Sequence, residues 1–227
     1  MTELATIELT TIELRPDTEQ RYSVIWMHGL GADGHDFEAI VPELGLPEGH
    51  GIGFIFPNAP VQPVTINGGM EMRAWYDILD MSFQRKVDVE GIYQSSAAID
   101  LLIKKELKRG IAAEHILLAG FSQGGAIALH TALTYPDRLA GVLALSTYLP
   151  TLEDIKSEFS QNNRALPIFM AHGTMDAVVD IQIAKKAYQG IKALAYPISW
   201  HEYPMQHAVC QQEIKAISEF IRAVFKD

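Results

Sequence analysis

Three side chains of this 227-residue sequence, far apart along the chain, are of the types that together split an acyl bond: Ser122, Asp176 and His207. Ser122 lies in Gly120-Phe121-Ser122-Gln123-Gly124, a G-x-S-x-G pattern. In the nucleophile elbow the backbone turns so sharply that the serine is strained and its neighbours must lack bulk, which Gly120 and Gly124 provide. A serine hydroxyl is a weak nucleophile until a base takes its proton, and the base works best when a carboxylate holds its tautomer. Asp176 follows His172-Gly173-Thr174-Met175, and His207 follows Tyr203-Pro204-Met205-Gln206. Serine, then acid, then base is one of the chain orders in which such a triad occurs.

Such residues must be held at the carboxyl ends of strands in an open α/β sheet. An apolar run at 116–119 has strand length, and 126–133 reads as a buried helix ended by Pro136. The runs 139–145 and 167–172 also read as strands, with another near 196–203, and 181–194 and 209–225 read as helices. Upstream, 5–14 suggests an edge hairpin or strand, and 23–28 and 52–56 are short apolar strands. A glycine-rich loop at 29–36 leads to a short helix near 37–44. Residues 90–109 form a helix that Gly110 closes. Strands alternating with helices predict an α/β fold, a mostly parallel sheet covered on both faces, in a single domain over 1–227. Residues 59–88, with Pro60, Pro63, Gly68 and Gly69, show no clean period and are too long for an ordinary connection, so they are a candidate functional loop.

The oxyanion that forms in acyl transfer needs two backbone N–H donors. Gln123, next after the nucleophile, is one; Leu30, between Gly29 and Gly31 after an early strand, is the other. Of the remaining histidines, His172 and His28 stand at strand ends and read as structural, and His201 falls within a strand. His35, His50, His115 and His130 read as surface or packing residues. Asp180, a rival to Asp176, reads as the cap of the next helix.

Two patterns point elsewhere. Residues 29–34 match G-x-G-x-x-G after a strand, but the next strand ends Phe56-Pro57-Asn58, without the acid that would hold a ribose. His201-Glu202-Tyr203-Pro204-Met205 has methionine where H-E-x-x-H needs its second histidine, and Pro204 breaks the required helix, so no metal is expected. With 18 basic and 28 acidic residues the formal net charge is −10, which disfavours nucleic acid and anionic lipid as partners. The single Cys210 permits no internal disulfide, and no run reaches about 18 apolar residues. A cytoplasmic protein without stable membrane insertion is the expectation.

The sequence resembles the phospholipase/carboxylesterase group of α/β-hydrolases, which includes the acyl-protein thioesterases. The likeness runs through His28-Gly29-Leu30-Gly31, Phe56-Pro57-Asn58-Ala59-Pro60, the stretch 63–69 and Arg73-Ala74-Trp75-Tyr76-Asp77. It continues in 120–125, His172-Gly173 with Asp176, and Tyr203-Pro204-Met205 before His207. The resemblance implies an α/β-hydrolase fold and hydrolysis of carboxylic esters or thioesters through an acyl-enzyme without a cofactor. It places the triad on Ser122, Asp176 and His207 and the oxyanion amides on Leu30 and Gln123. It also implies an acyl groove lined from the 59–88 segment: Trp75 first, then Ile78 and Leu79, with Val178 from beside the acid. Met70, Met72, Tyr76, Met81 and Phe83 add apolar surface there. Implied substrates are small or lipid-derived acyl esters or thioesters, including acylated proteins, and relatives are often homodimers. Gln206 stands where relatives usually carry glycine, and Ala177 where proline is common. The competing classes are a lysophospholipase of the same chemistry, a non-catalytic binding protein on this fold, and a dinucleotide-dependent enzyme.

Overall fold

The computed structural model describes residues 8–80 and 86–225. In chain order the first half runs β1 (Thr11–Leu14), β2 (Tyr22–Met27), α1 (His35–Glu38), α2 (Ile40–Glu43), β3 (Ile52–Pro57), β4 (Val61–Val64), β5 (Met70–Arg73) and α3 (Val89–Lys108). The second half runs β6 (Ile116–Phe121), α4 (Gln123–Thr134), β7 (Gly141–Leu145), β8 (Ile168–Gly173), α5 (Ile181–Ala193), β9 (Ile198–Tyr203) and α6 (Gln211–Val224). Among the described residues seven strands form one sheet in the order β1-β3-β2-β6-β7-β8-β9, and β4 and β5 form a separate pair. Within the large sheet only β1 runs antiparallel, against β3.

Every residue of β2, β3, β7 and β8 is buried, as strands covered on both faces must be. Side chains alternate between two cores. Ile25, Met27, Leu118, Val142 and Met170 face one layer, with Ile99 of α3, Ile127 of α4 and Ile191 of α5. Trp26, Phe54, Leu117, Leu143 and Phe169 face the other, with Phe37 of α1 and Ile217 of α6. The chain leaves β2 toward β3 on one side and returns through α3 to β6 on the other side of β2. The order reverses at β2, and the carboxyl ends of the strands at such a switch point are the usual place for a site in these sheets.

Two sequence expectations change. The helix near 37–44 is two short pieces meeting at Ala39. Pro42 lacks the N–H a continuous helix would use, and sits harmlessly in the first turn of α2. The 59–88 segment is not structureless: it holds the β4–β5 hairpin, turned through Gly68 (φ 68°) and Gly69 (φ 77°), and a bridge between Ile78 and Val87. Only Val64 of those short strands is buried, so they leave no hydrophobic alternation to read. The strand expected within 5–14 is the edge strand β1, residues 5–7 lying outside the described range.

Candidate active site

The elbow sits between β6 and α4. Ser122 has φ 54° and ψ −120°, a conformation that costs a non-glycine residue about 1–3 kcal/mol and must be enforced by its surroundings. The enforcement is visible. Its N–H donates to the Leu145 carbonyl (2.9 Å), and its carbonyl accepts from Thr147 Oγ1 (2.6 Å) and from the Gly125 and Ala126 amides (3.1 and 3.2 Å). A Cβ on Gly120 would strike the Gly124 carbonyl, and one on Gly124 would strike those of Met27 and His28. A Cβ on Gly125 would meet Thr147 at 2.6 Å. Thr147 could not be singled out from sequence, because its role depends on β7 lying beside β6.

The acid and base come from the loops after β8 and β9. His207 Nδ1 is 2.7 Å from Asp176 Oδ2, and Asp176 Oδ1 accepts the Val178 and Val179 amides at 2.8 and 2.9 Å. The carboxylate side chain is fully buried and that of His207 is 16% exposed. Burial pushes the Asp176 pKa up. The His207 hydrogen bond and the Val179 and Val178 amides outweigh it and hold the group below the ordinary carboxylate value. An ionised acceptor on Nδ1 leaves Nε2 of a neutral His207 as the lone pair free to take a proton. The Phe121 ring lies 4.6 Å from the His207 ring, which puts the imidazole against the elbow. Among the described residues the Ser122 hydroxyl makes no hydrogen bond, so the serine–histidine contact is open in this structure. Such contacts are often loose without substrate.

The other histidines and the rival acid fall where their positions suggested. His172 is buried, with Nε2 2.9 Å from the Val179 carbonyl and 3.3 Å from Asp176 Oδ2. It therefore fastens the loop whose amides hold Asp176, and burial lowers its pKa so that it stays neutral. Asp180 caps α5 through the Gln182 amide. Gln206 is exposed and has no left-handed backbone, so the position usually held by glycine is not one that requires it here.

The two oxyanion candidates meet at the same end of the sheet. Gln123 is the first residue of α4, where the N–H has no partner within the helix and the helix dipole favours negative charge. Leu30 follows β2. Gly31 N–H goes to the Arg73 carbonyl (2.8 Å) and Ala32 N–H to that of Gly29 (3.3 Å), while the Leu30 N–H makes no hydrogen bond among the described residues. His28 shapes this loop: its Nδ1 is 2.7 Å from the Gly29 carbonyl and its Nε2 accepts the Ala59 amide at 3.0 Å. Burial lowers its pKa, in keeping with one ring nitrogen donating and the other accepting.

Residues 10–225 match the family model described as Phospholipase/Carboxylesterase. The chain belongs to the phospholipase/carboxylesterase family. It is similar to acyl-protein thioesterase 1 of Neurospora crassa, 39% identical over 214 residues, which covers 88% of this chain and 85% of that one. The protein of the same name from Cryptococcus neoformans is 35% identical over 96% of this chain and 98% of its own length. Among solved structures, Arabidopsis thaliana SOBER1 superposes with a TM-score of 0.86 at 30% identity, over 91% of this chain and all of that one. Zea mays acyl-protein thioesterase 2 does so with a TM-score of 0.85 at 27% identity, over 95% and 98%. As a phospholipase/carboxylesterase with an α/β-hydrolase fold, the protein is a serine hydrolase of esters or thioesters.

Against this family frame, the residues expected to line the acyl groove divide. Leu79 and Val178 are 47% and 50% exposed, whereas Ile78 is buried in the core. Trp75, the first choice from sequence, is internal. It is 1% exposed and its indole N–H donates to the His28 carbonyl at 2.8 Å, the partner a buried indole needs. Tyr76 is buried, Met70 is exposed and Met72 half-buried, while Met81 and Phe83 lie outside the described residues. Met175, 57% exposed beside the acid, adds an apolar side chain that the sequence reading passed over. Two larger surface cavities, of about 600 Å³ beside Arg15 and His50 and about 840 Å³ along α3, share none of these residues.

Proposed function

We propose that Ser122, Asp176 and His207 hydrolyse long-chain acyl esters and thioesters, with acylated proteins as the substrate class. The observation that carries this reading is the 2.7 Å bond between a buried, ionised Asp176 and His207 Nδ1, next to a strained serine at a helix N-terminus. His207 Nε2 takes the Ser122 proton as the oxygen attacks the acyl carbonyl, and Asp176 stabilises the imidazolium without taking the proton. The Leu30 and Gln123 amides receive the oxyanion. The imidazolium then returns its proton to the departing alcohol or thiol, and water repeats the cycle on the acyl-enzyme. No cofactor enters the scheme.

The acylated-protein class is supported by the names of the relatives and by the exposed apolar side chains Leu79, Met175 and Val178, which suit an acyl chain lying along the surface. Among the described residues no helix is long and apolar enough to cross a membrane, which agrees with a cytoplasmic enzyme working on acyl groups presented to it. The test is a panel of nitrophenyl esters from two to sixteen carbons, with an S-acyl cysteine peptide alongside. The reading expects kcat/KM to rise with chain length and the thioester to be cleaved. A preference confined to the shortest esters, with no thioester turnover, contradicts it.

A further inference from the structure

The oxyanion donors Leu30 and Gln123 belong to segments distant in sequence, and a third segment holds the two together. The Gln123 side chain is 3% exposed and spends both amide atoms on the main chain of two consecutive residues of that segment. Its Oε1 accepts from Trp75 N–H (3.1 Å), and its Nε2 donates to the Tyr76 carbonyl (2.8 Å). From there the grip passes to the loop after β2. Trp75 Nε1 donates to the carbonyl of His28, two residues before Leu30, and the Arg73 carbonyl accepts from Gly31, one residue after it. Leu30 is thus bracketed, and both brackets come from 73–75. The strut is itself fixed, since Ser95 Oγ of α3 donates to the Trp75 carbonyl and the Arg73 guanidinium donates to that of Ala59 (2.9 Å).

We infer that the Gln123 carboxamide and the Trp75 indole are positioning residues that set the spacing of the two oxyanion amides. The Gln123 side chain thereby fixes the partner of its own main-chain donor. This rests on the oxyanion assignment proposed above. Donors work only where they meet the developing oxyanion, so a loop that drifts by a fraction of an ångström weakens the transition state and leaves ground-state binding alone.

The test uses the full chain with Trp75→Phe, Gln123→Met and the double variant, all of which keep both backbone donors. Each single variant is expected to lose about 10- to 100-fold in kcat for a short nitrophenyl ester with KM within about two-fold, less than the 10²–10³ for removing a donor outright. Affinity for an alkyl boronic acid, whose tetrahedral adduct places an oxygen in the hole, falls by the same factor, while inhibition by the product carboxylate stays level. The double variant loses less than the product of the singles, because both act on one loop. Unchanged kcat and boronate affinity in folded Trp75→Phe overturn the inference, as does a kcat loss with boronate affinity intact. If Gln123→Met does not fold, Trp75→Phe alone decides. Failure of the underlying reading looks different: wild type then takes no fluorophosphonate on Ser122, or Ser122→Ala still turns over.

Discussion

Burial alone raises the Asp176 pKa, yet the group lies below its ordinary range because one oxygen accepts from His207 and the other from two amides. With the folded value below the ordinary 3.8, its stabilising contribution is present above that pH and is lost only as pH falls through the lower folded value. The same bonds fix the imidazole. Asp176→Asn removes the anion that selects the tautomer with Nδ1 protonated, and kcat is expected to fall by about 10⁴, with the fold retained. Steady-state kinetics with circular dichroism check this; a loss under ten-fold would mean the acid does not orient the base. Ser122, Asp176 and His207 could be nominated from sequence because each stands in a short motif at a strand end. The contacts that hold the elbow and the oxyanion amides could not. Thr147, the Gln123 carboxamide and the Trp75 indole act through neighbours that only the folded sheet brings together.

Helix α6 carries a burden that its place behind the His207 loop makes consequential. Glu213 is fully buried, neither carboxylate oxygen has a side-chain hydrogen-bond partner among the described residues, and burial lifts its pKa to about 8 against the opposing pull of the Cys210 backbone amide. Its folded value lies above the ordinary 4.5, so its contribution is whole below pH 4.5 and is lost as pH rises through about 8. Glu213→Gln is therefore expected to raise Tm by several degrees at pH 8.5 and to leave it unchanged near pH 4.5. Equal shifts at both pH values, measured by calorimetry, would show that ionisation is not the cause. The loop between β9 and α6 is also pinned from β8, where a Cβ on Gly173 would strike the Met205 and Gln206 carbonyls. Gly173→Ala should displace the loop bearing His207 and cut kcat by more than ten-fold; wild-type turnover in the folded variant would refute that packing argument. Long apolar or periodic stretches made α3, β6, α4 and β8 legible in the sequence. The β4–β5 hairpin was not, because a short exposed ribbon buries too little to impose a pattern.

Across the whole molecule the net charge of −10 sets a long-range field without affecting the fold. Acyl peptides with flanking lysines are expected to show a several-fold higher kcat/KM than glutamate-flanked ones at about 10 mM salt, the two converging near 0.5 M as screening shortens the field. A preference unchanged by salt would assign the discrimination to local contacts. The parallel architecture was readable from the alternation of strands and helices, and the sheet order brings four distant loops to one edge. Exposure within 59–88 was read less well, since periodicity does not tell an exposed Leu79 from a buried Ile78 one residue away. Mass spectrometry of the enzyme quenched during turnover of a slow nitrophenyl ester tests the central claim most directly. A single acyl adduct on the peptide containing Ser122, absent in Ser122→Ala and accumulating at least a hundred-fold more slowly in His207→Ala, is the predicted result. An adduct on another residue, or turnover that survives Ser122→Ala, would contradict it.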